Sequence, residues 1–148
     1  MRYEKPIDIL LVEDNPTDVE IIKEAFSVGK VKNNLYCVRD GQEALDFMYH
    51  ENEFSDASKA PRPDLILLDL NMPRVNGTEV LEKIKKDKEL LKIPIIILTS
   101  SDRDRDVCES YNLGANSFIT KPVGFPRFIE VVTSIQDYWL VITKIPRK

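Results

Sequence analysis

The sequence predicts an α/β protein built on a doubly wound, five-stranded parallel sheet. Three features carry this expectation: five short apolar runs of strand length, stretches of helical spacing between them, and Pro or Gly at the changeovers. Strands alternating with helices of this length pair in parallel through right-handed crossovers, with helices on both faces.

The elements follow in order. Residues 7–12 form the first apolar run, and Pro16 opens a stretch in which Val19, Ile22, Ala25 and Phe26 recur at helical spacing. Residues 35–38 give a weaker strand, and Gly41 bounds a second helix that ends with ALDFMY before His50, expected to be an ordinary surface histidine. The connection 51–63 contains Pro61, Pro63 and few apolar residues, so it reads as a surface loop. The runs at 64–68 and 93–98 are almost continuously apolar over Ile66 to Leu68 and Ile95 to Leu98, as central strands covered on both faces require. Between them Gly77 bounds a helix carrying Val80, Leu81 and Ile84. Alternating acids and arginines at 102–106 suit a solvated helix start, and 117–119 is the fifth strand. After Pro126, Phe128, Val132, Ile135, Trp139 and Ile142 repeat at spacings of four and three, the stripe a fifth helix needs for the core. The expectation is one domain over 1–148, with a core at about 7–137 and a C-terminal extension at 138–148.

Composition narrows the function. A net charge of -4 argues against broad attraction to nucleic acid, and Lys144, Arg147 and Lys148 make only a short basic tail. Cys37 and Cys108 are too few and too isolated for a disulfide framework or a thiolate metal site. Arg2, Glu4, Lys5 and Asp8 interrupt any apolar leader, and no run reaches transmembrane length. A cytoplasmic protein without membrane attachment is expected.

In doubly wound sheets, ligands bind beyond the carboxyl ends of the strands, where strand order reverses. The residues at those ends are Glu13 and Asp14, Asp69, Thr99 and Ser100, and Lys121. Three carboxylates converging there repel each other by roughly 3 kcal/mol per pair at about 5 Å with an effective dielectric near 20. A hard divalent cation answers that repulsion, and Mg²⁺ suits a few carboxylates together with phosphate oxygens. Lys121 adds a second positive charge. Such a site is neutral at rest, and an acyl phosphate on one carboxylate would leave only about one net negative charge. Phosphoryl transfer needs positioning and electrostatic stabilisation above all. Asp69 is the central carboxylate and the candidate nucleophile and metal ligand, with Glu13 and Asp14 holding the metal.

These residues occur in ILLVEDNPTD (9–18), DLILLDLNMPRVNG (64–77), IPIIILTSS (93–101) and LGANSFITKP (113–122). In that order the chain resembles response-regulator receiver domains of two-component signalling. The resemblance implies a flavodoxin-like (βα)5 fold with strand order 2-1-3-4-5. It makes Asp69 the phosphorylated residue, Glu13 and Asp14 the acidic pair for Mg²⁺, and the Asn71 carbonyl a further metal ligand. Thr99 and Lys121 would contact the phosphoryl group, while Thr99 and Phe118 would form the switch. Phosphate would come from a sensor histidine kinase. The long loop and the tail YWLVITKIP resemble the regulators that serve bacterial and cyanobacterial phytochromes. The chain would act by protein association and would catalyse only its own phosphorylation and dephosphorylation.

Two rivals are weighed against this. A haloacid-dehalogenase-type phosphatase places a second acid two residues after its nucleophile, where this chain has Asn71. A phosphorylation-independent receiver-like scaffold would not require all the reactive residues. The apolar excess beyond the fifth-helix stripe, at Val131, Tyr138, Leu140, Val141 and Ile145, points to a homodimer. Its face would comprise the fourth helix, fifth strand, fifth helix and tail.

Overall fold

Strand and helix alternate along the backbone, and each return places a strand parallel to its neighbours. A computed structural model of the chain describes residues 6–28, 32–70, 77–99 and 117–120. It also describes Pro126, Ile129, Glu130, Thr133 and Ser134, all helical, while Thr99 and 117–120 are described by backbone alone. The elements are β1 (Ile7–Val12), α1 (Pro16–Ser27), β2 (Asn33–Val38), α2 (Gly41–Tyr49), a short 3-10 turn (Asn52–Phe54), β3 (Leu65–Asp69), α3 (Gly77–Lys86), β4 (Ile95–Thr99) and β5 (Ser117–Thr120). The expected fourth helix and most of the fifth lie outside the described residues, as do Asn71 and Lys121.

The five strands stand in the order β2-β1-β3-β4-β5, all parallel, as the fold class requires. Alternation along the strands divides the apolar side chains between two cores. Leu10, Val12, Ile66, Leu68, Ile95 and Ile97 meet α2 and α3 on one face. Ile9, Leu11, Leu65, Leu67, Ile96 and Leu98 meet α1 on the other, with Ile129 packed against them. Burying each such side chain contributes about 1.5–3 kcal/mol, so the sheet is anchored from both faces.

Local chemistry sets the helix ends. The Asn15 side chain caps α1 by accepting from the N–H groups of Thr17 (2.9 Å) and Asp18 (3.2 Å), with Pro16 opening the helix. Asp40 caps α2 through Glu43 N–H (2.8 Å), while the Glu43 carboxylate accepts from Arg39 N–H (3.0 Å).

The connection after α2 is the surface loop its composition suggests, exposed at residues 51–53 and 55–59, but it is tethered to the domain at particular points. His50 ends α2 in the left-handed region (φ 57°), and its half-buried ring makes a 2.8 Å hydrogen bond with the Ala60 carbonyl. Phe54 packs edge-on against Phe47, with ring centroids 5.2 Å apart, and Ala60 and Pro63 are buried. One aromatic and one ring-to-carbonyl bond therefore fold this segment onto the α2 side of the sheet.

Candidate functional site

Strand order reverses at β1, whose neighbours are β2 and β3. The pairing Val12↔Leu68 ends the β1–β3 register, so the next residues, Glu13 and Asp69, come level at the carboxyl edge. Glu13 N–H donates to the Val38 carbonyl (3.0 Å), continuing the β1–β2 ladder one residue further. One Glu13 carboxylate oxygen accepts from Asn15 N–H (3.2 Å), and the cap residue of α1 thus also holds the Glu13 side chain. Asp69 completes β3, and Leu70 N–H donates to the Leu98 carbonyl (3.2 Å), extending the ladder beyond it.

One oxygen from each of Glu13, Asp14 and Asp69 lies within 4.8 Å of the others. Glu13 is 1% exposed and Asp69 3%, whereas Asp14 faces solvent. Two buried carboxylates and one at the mouth form a pocket of one sign, in which desolvation strengthens the repulsion. The positive end of α1, which begins two residues after Asp14, offsets part of it. The donor set is all oxygen, anionic and compact, the chemistry that a hard divalent cation takes. These residues fit such an ion.

The structure thus brings together three of the residues singled out from the sequence. The backbone of Thr99 reaches the same edge, since β4 pairs with β3 at Asp69↔Leu98 and Thr99 follows Leu98. Phe118 lies within β5 opposite Ile97, short of the edge. A cleft of about 520 Å³ lined by Met48, Tyr49, Arg62, Asp87, Lys88, Glu89 and Leu90 lies at the opposite end of the sheet, away from the carboxylates.

Gly77 was legible in the sequence only as a helix boundary. In the fold its α-carbon presses on the end of β3: a Cβ there would stand 2.6 Å from the Leu70 Cα and closer still to the Asp69 carbonyl oxygen. Its place in the segment 64–77 was visible, but not the contact.

A family model for the response regulator receiver domain matches residues 9–133. Response regulator Rcp1 of Synechocystis sp. is 37% identical over 141 residues, covering 95% of this chain and 94% of its own length. A structure of its Mn²⁺-bound form superposes with a TM-score of 0.79 over 96% of this chain and all (100%) of that one. The phosphorylated cyanobacterial phytochrome response regulator RcpA is 40% identical with a TM-score of 0.79, covering 92% of this chain and 95% of that one. A probable methanogenesis regulatory protein, FilR2 of Methanothrix harundinacea, is 36% identical over 146 residues, 99% of this chain and 92% of its own length.

Proposed function

The chain belongs to the response regulator receiver family, of the phytochrome-associated type, and from that premise we propose that it is a Mg²⁺-dependent switch phosphorylated on Asp69. The observation that carries the reading is the convergence of Glu13, Asp14 and Asp69 within 4.8 Å at the strand-order reversal. The Mn²⁺-bound form of Rcp1 and the phosphorylated form of RcpA support metal and phosphate chemistry at such a site.

In this reading an Asp69 carboxylate oxygen forms a bond to phosphorus as the P–N bond of a partner's phosphohistidine breaks, giving an aspartyl phosphate. Glu13, Asp14 and Asp69, with the Asn71 carbonyl, would hold Mg²⁺, which when bound neutralises charge on the phosphoryl oxygens. Lys121 would pair with the phosphoryl group. Thr99 would hydrogen-bond it, and Phe118 would move with Thr99. Asp69 is buried, and the exposed Asp14 marks the side from which a donor enters.

The donor is a sensor histidine kinase of the phytochrome kind, and output is through protein association, including a homodimer built on the fourth helix, fifth strand, fifth helix and C-terminal tail. The half-buried Ile129 against the second core, with Glu130, Thr133 and Ser134 exposed, supports a fifth helix that packs one face inward. The protein acts as a single domain in the cytoplasm. Among the described residues no helix is long and apolar enough to cross a membrane.

Incubation with acetyl phosphate and Mg²⁺ should label the protein stoichiometrically, and Asp69→Asn should remove the label. Normal labelling of that variant would sink the assignment. Transfer from purified phytochrome kinases should outpace transfer from unrelated histidine kinases. Equal rates would separate the phytochrome partner from the phosphoacceptor chemistry.

A further inference from the structure

We propose that Gly77 is a positioning residue of the acidic site, setting the place of Asp69 through direct backbone contact. The inference rests on the reading of Asp69 as phosphoacceptor and metal ligand. Asp69 is fixed laterally by its neighbours, since β3 pairs with β1 up to Leu68 and with β4 at Asp69↔Leu98. Those pairings run across the sheet, and they do not by themselves set the end of the strand along the direction of α3. Gly77 meets the strand end from that direction in two ways. Its N–H donates to the Leu70 carbonyl (3.2 Å), and its bare α-carbon lies so close to the strand end that a methyl group would collide with Asp69 and Leu70 backbone atoms.

The obstacle is backbone on both sides, not the far end of a flexible side chain, so no rotamer change relieves it. Either α3 retreats or the end of β3 shifts. α3 is held by Val80, Leu81 and Ile84, all fully buried in the core beside Leu68 and Leu70, and a retreat would open that packing. The end of β3 is the softer partner, because among the described residues only the Leu70 N–H bond to Leu98 continues the ladder beyond Asp69. The carboxylate that must lie within 4.8 Å of Glu13 and Asp14 would therefore move. Gly77 has no side chain to offer a ligand, and its influence is exerted through the carbonyl and α-carbon of its neighbours.

The test is Mn²⁺ affinity, read by electron paramagnetic resonance of the free ion, beside labelling by acetyl phosphate. Gly77→Ala should weaken Mn²⁺ binding about 10- to 100-fold, as loss of a residue supporting metal ligands typically does. Val80→Ala is the matched control: it weakens α3 by removing a buried side chain, adds no atom near Asp69, and should bind Mn²⁺ as the unmodified protein does. A backbone ester at position 77, introduced as glycolic acid, removes the N–H donor without adding a Cβ and should give a smaller loss of affinity. If Gly77→Ala does not fold, the ester decides the matter. Unchanged Mn²⁺ affinity in a folded Gly77→Ala, or equal losses in Gly77→Ala and Val80→Ala, overturns the proposal. So does an ester that binds like the unmodified protein when Gly77→Ala cannot be assayed. Asp69→Asn in the same assay keeps the two readings apart: unchanged Mn²⁺ binding there would mean that the site itself is misassigned.

Discussion

The two ends of the sheet differ in how closely they gather their carboxylates. At the carboxyl edge Glu13, Asp14 and Asp69 are gathered within 4.8 Å, two of them buried. At the amino edge the acids are spread out and used as hydrogen-bond acceptors. Asp64 accepts from Asp8 N–H (2.9 Å), Asp8 accepts from the Asn34 amide (3.1 Å), and Asp87 accepts from Glu89 N–H (2.9 Å), Leu90 N–H (3.3 Å) and the Tyr49 hydroxyl (3.1 Å). Lys85 donates to the Leu91 carbonyl (3.2 Å), closing the turn between α3 and β4. The same residue type thus orders the backbone at both ends, and at the carboxyl end it is also crowded against its own kind. Charge concentrated against its own electrostatics distinguishes the carboxyl end, and charge distributed over N–H donors the amino end.

The comparison is broken most sharply by removing one charge from the crowded end. Without metal, Asp69→Asn should raise the stability of the fold, because one member of a repelling set is neutralised. With Mg²⁺ at about 100 times its dissociation constant, the unmodified protein should gain about 2.7 kcal/mol, and Asp69→Asn clearly less. Urea unfolding with and without Mg²⁺ measures both. A destabilised metal-free Asp69→Asn would mean that repulsion does not govern this edge.

At the amino end the largest single contribution expected is apolar. Phe54→Ala removes the ring that packs on Phe47 and ties down the connection 51–63, and should destabilise by about 2 kcal/mol, less than a fully buried Phe because Phe54 is only partly buried. Labelling of Asp69 should survive wherever the variant is folded. Loss of labelling in the folded state would show that the two ends are coupled.

The smallest effect sharpens the contrast through pH. The N–H of Glu89, with lesser help from Tyr49 and Leu90, holds the Asp87 carboxyl below its ordinary range. A lowered folded-state pKa stabilises above the unfolded value and is lost as pH falls through the folded one. Asp87→Ala should therefore lower the melting midpoint by a few degrees near neutrality, with the gap constant above about pH 4 and closing below it. Burial raises the Tyr49 hydroxyl first, and its bond to Asp87 adds to that. This contribution is complete below about pH 10 and is lost as pH rises through the raised value. A gap between the unmodified protein and Asp87→Ala that persists unchanged into strong acid would exclude the hydrogen-bonded carboxylate as its source.

Much of the fold was legible because its determinants are local. Strand-length apolar runs, Pro16 at the start of α1 and Gly77 at the start of α3 lie within a few residues of what they specify, and β3 appears within a residue of its expected place. The candidate site was legible in kind for a related reason: a parallel α/β sheet puts its strand ends at one edge, so acids following apolar runs must converge.

What only the tertiary structure decided depends on segments far apart in sequence. That Glu13 and Asp69 are buried while Asp14 is exposed follows from the β1–β3 register and the turn into α1, not from residue type. That His50 bonds to Ala60 and Phe54 packs on Phe47 follows from the path of a loop whose composition looks merely solvated. That Gly77 bears on Asp69 follows from where α3 docks. Residue order alone sets which of the described strands and helices form and at which edge the charge gathers, because propensity, capping and period act over one or two turns. Packing decided how near the carboxylates stand, because that distance is set by side chains and backbone that meet only after the sheet has closed.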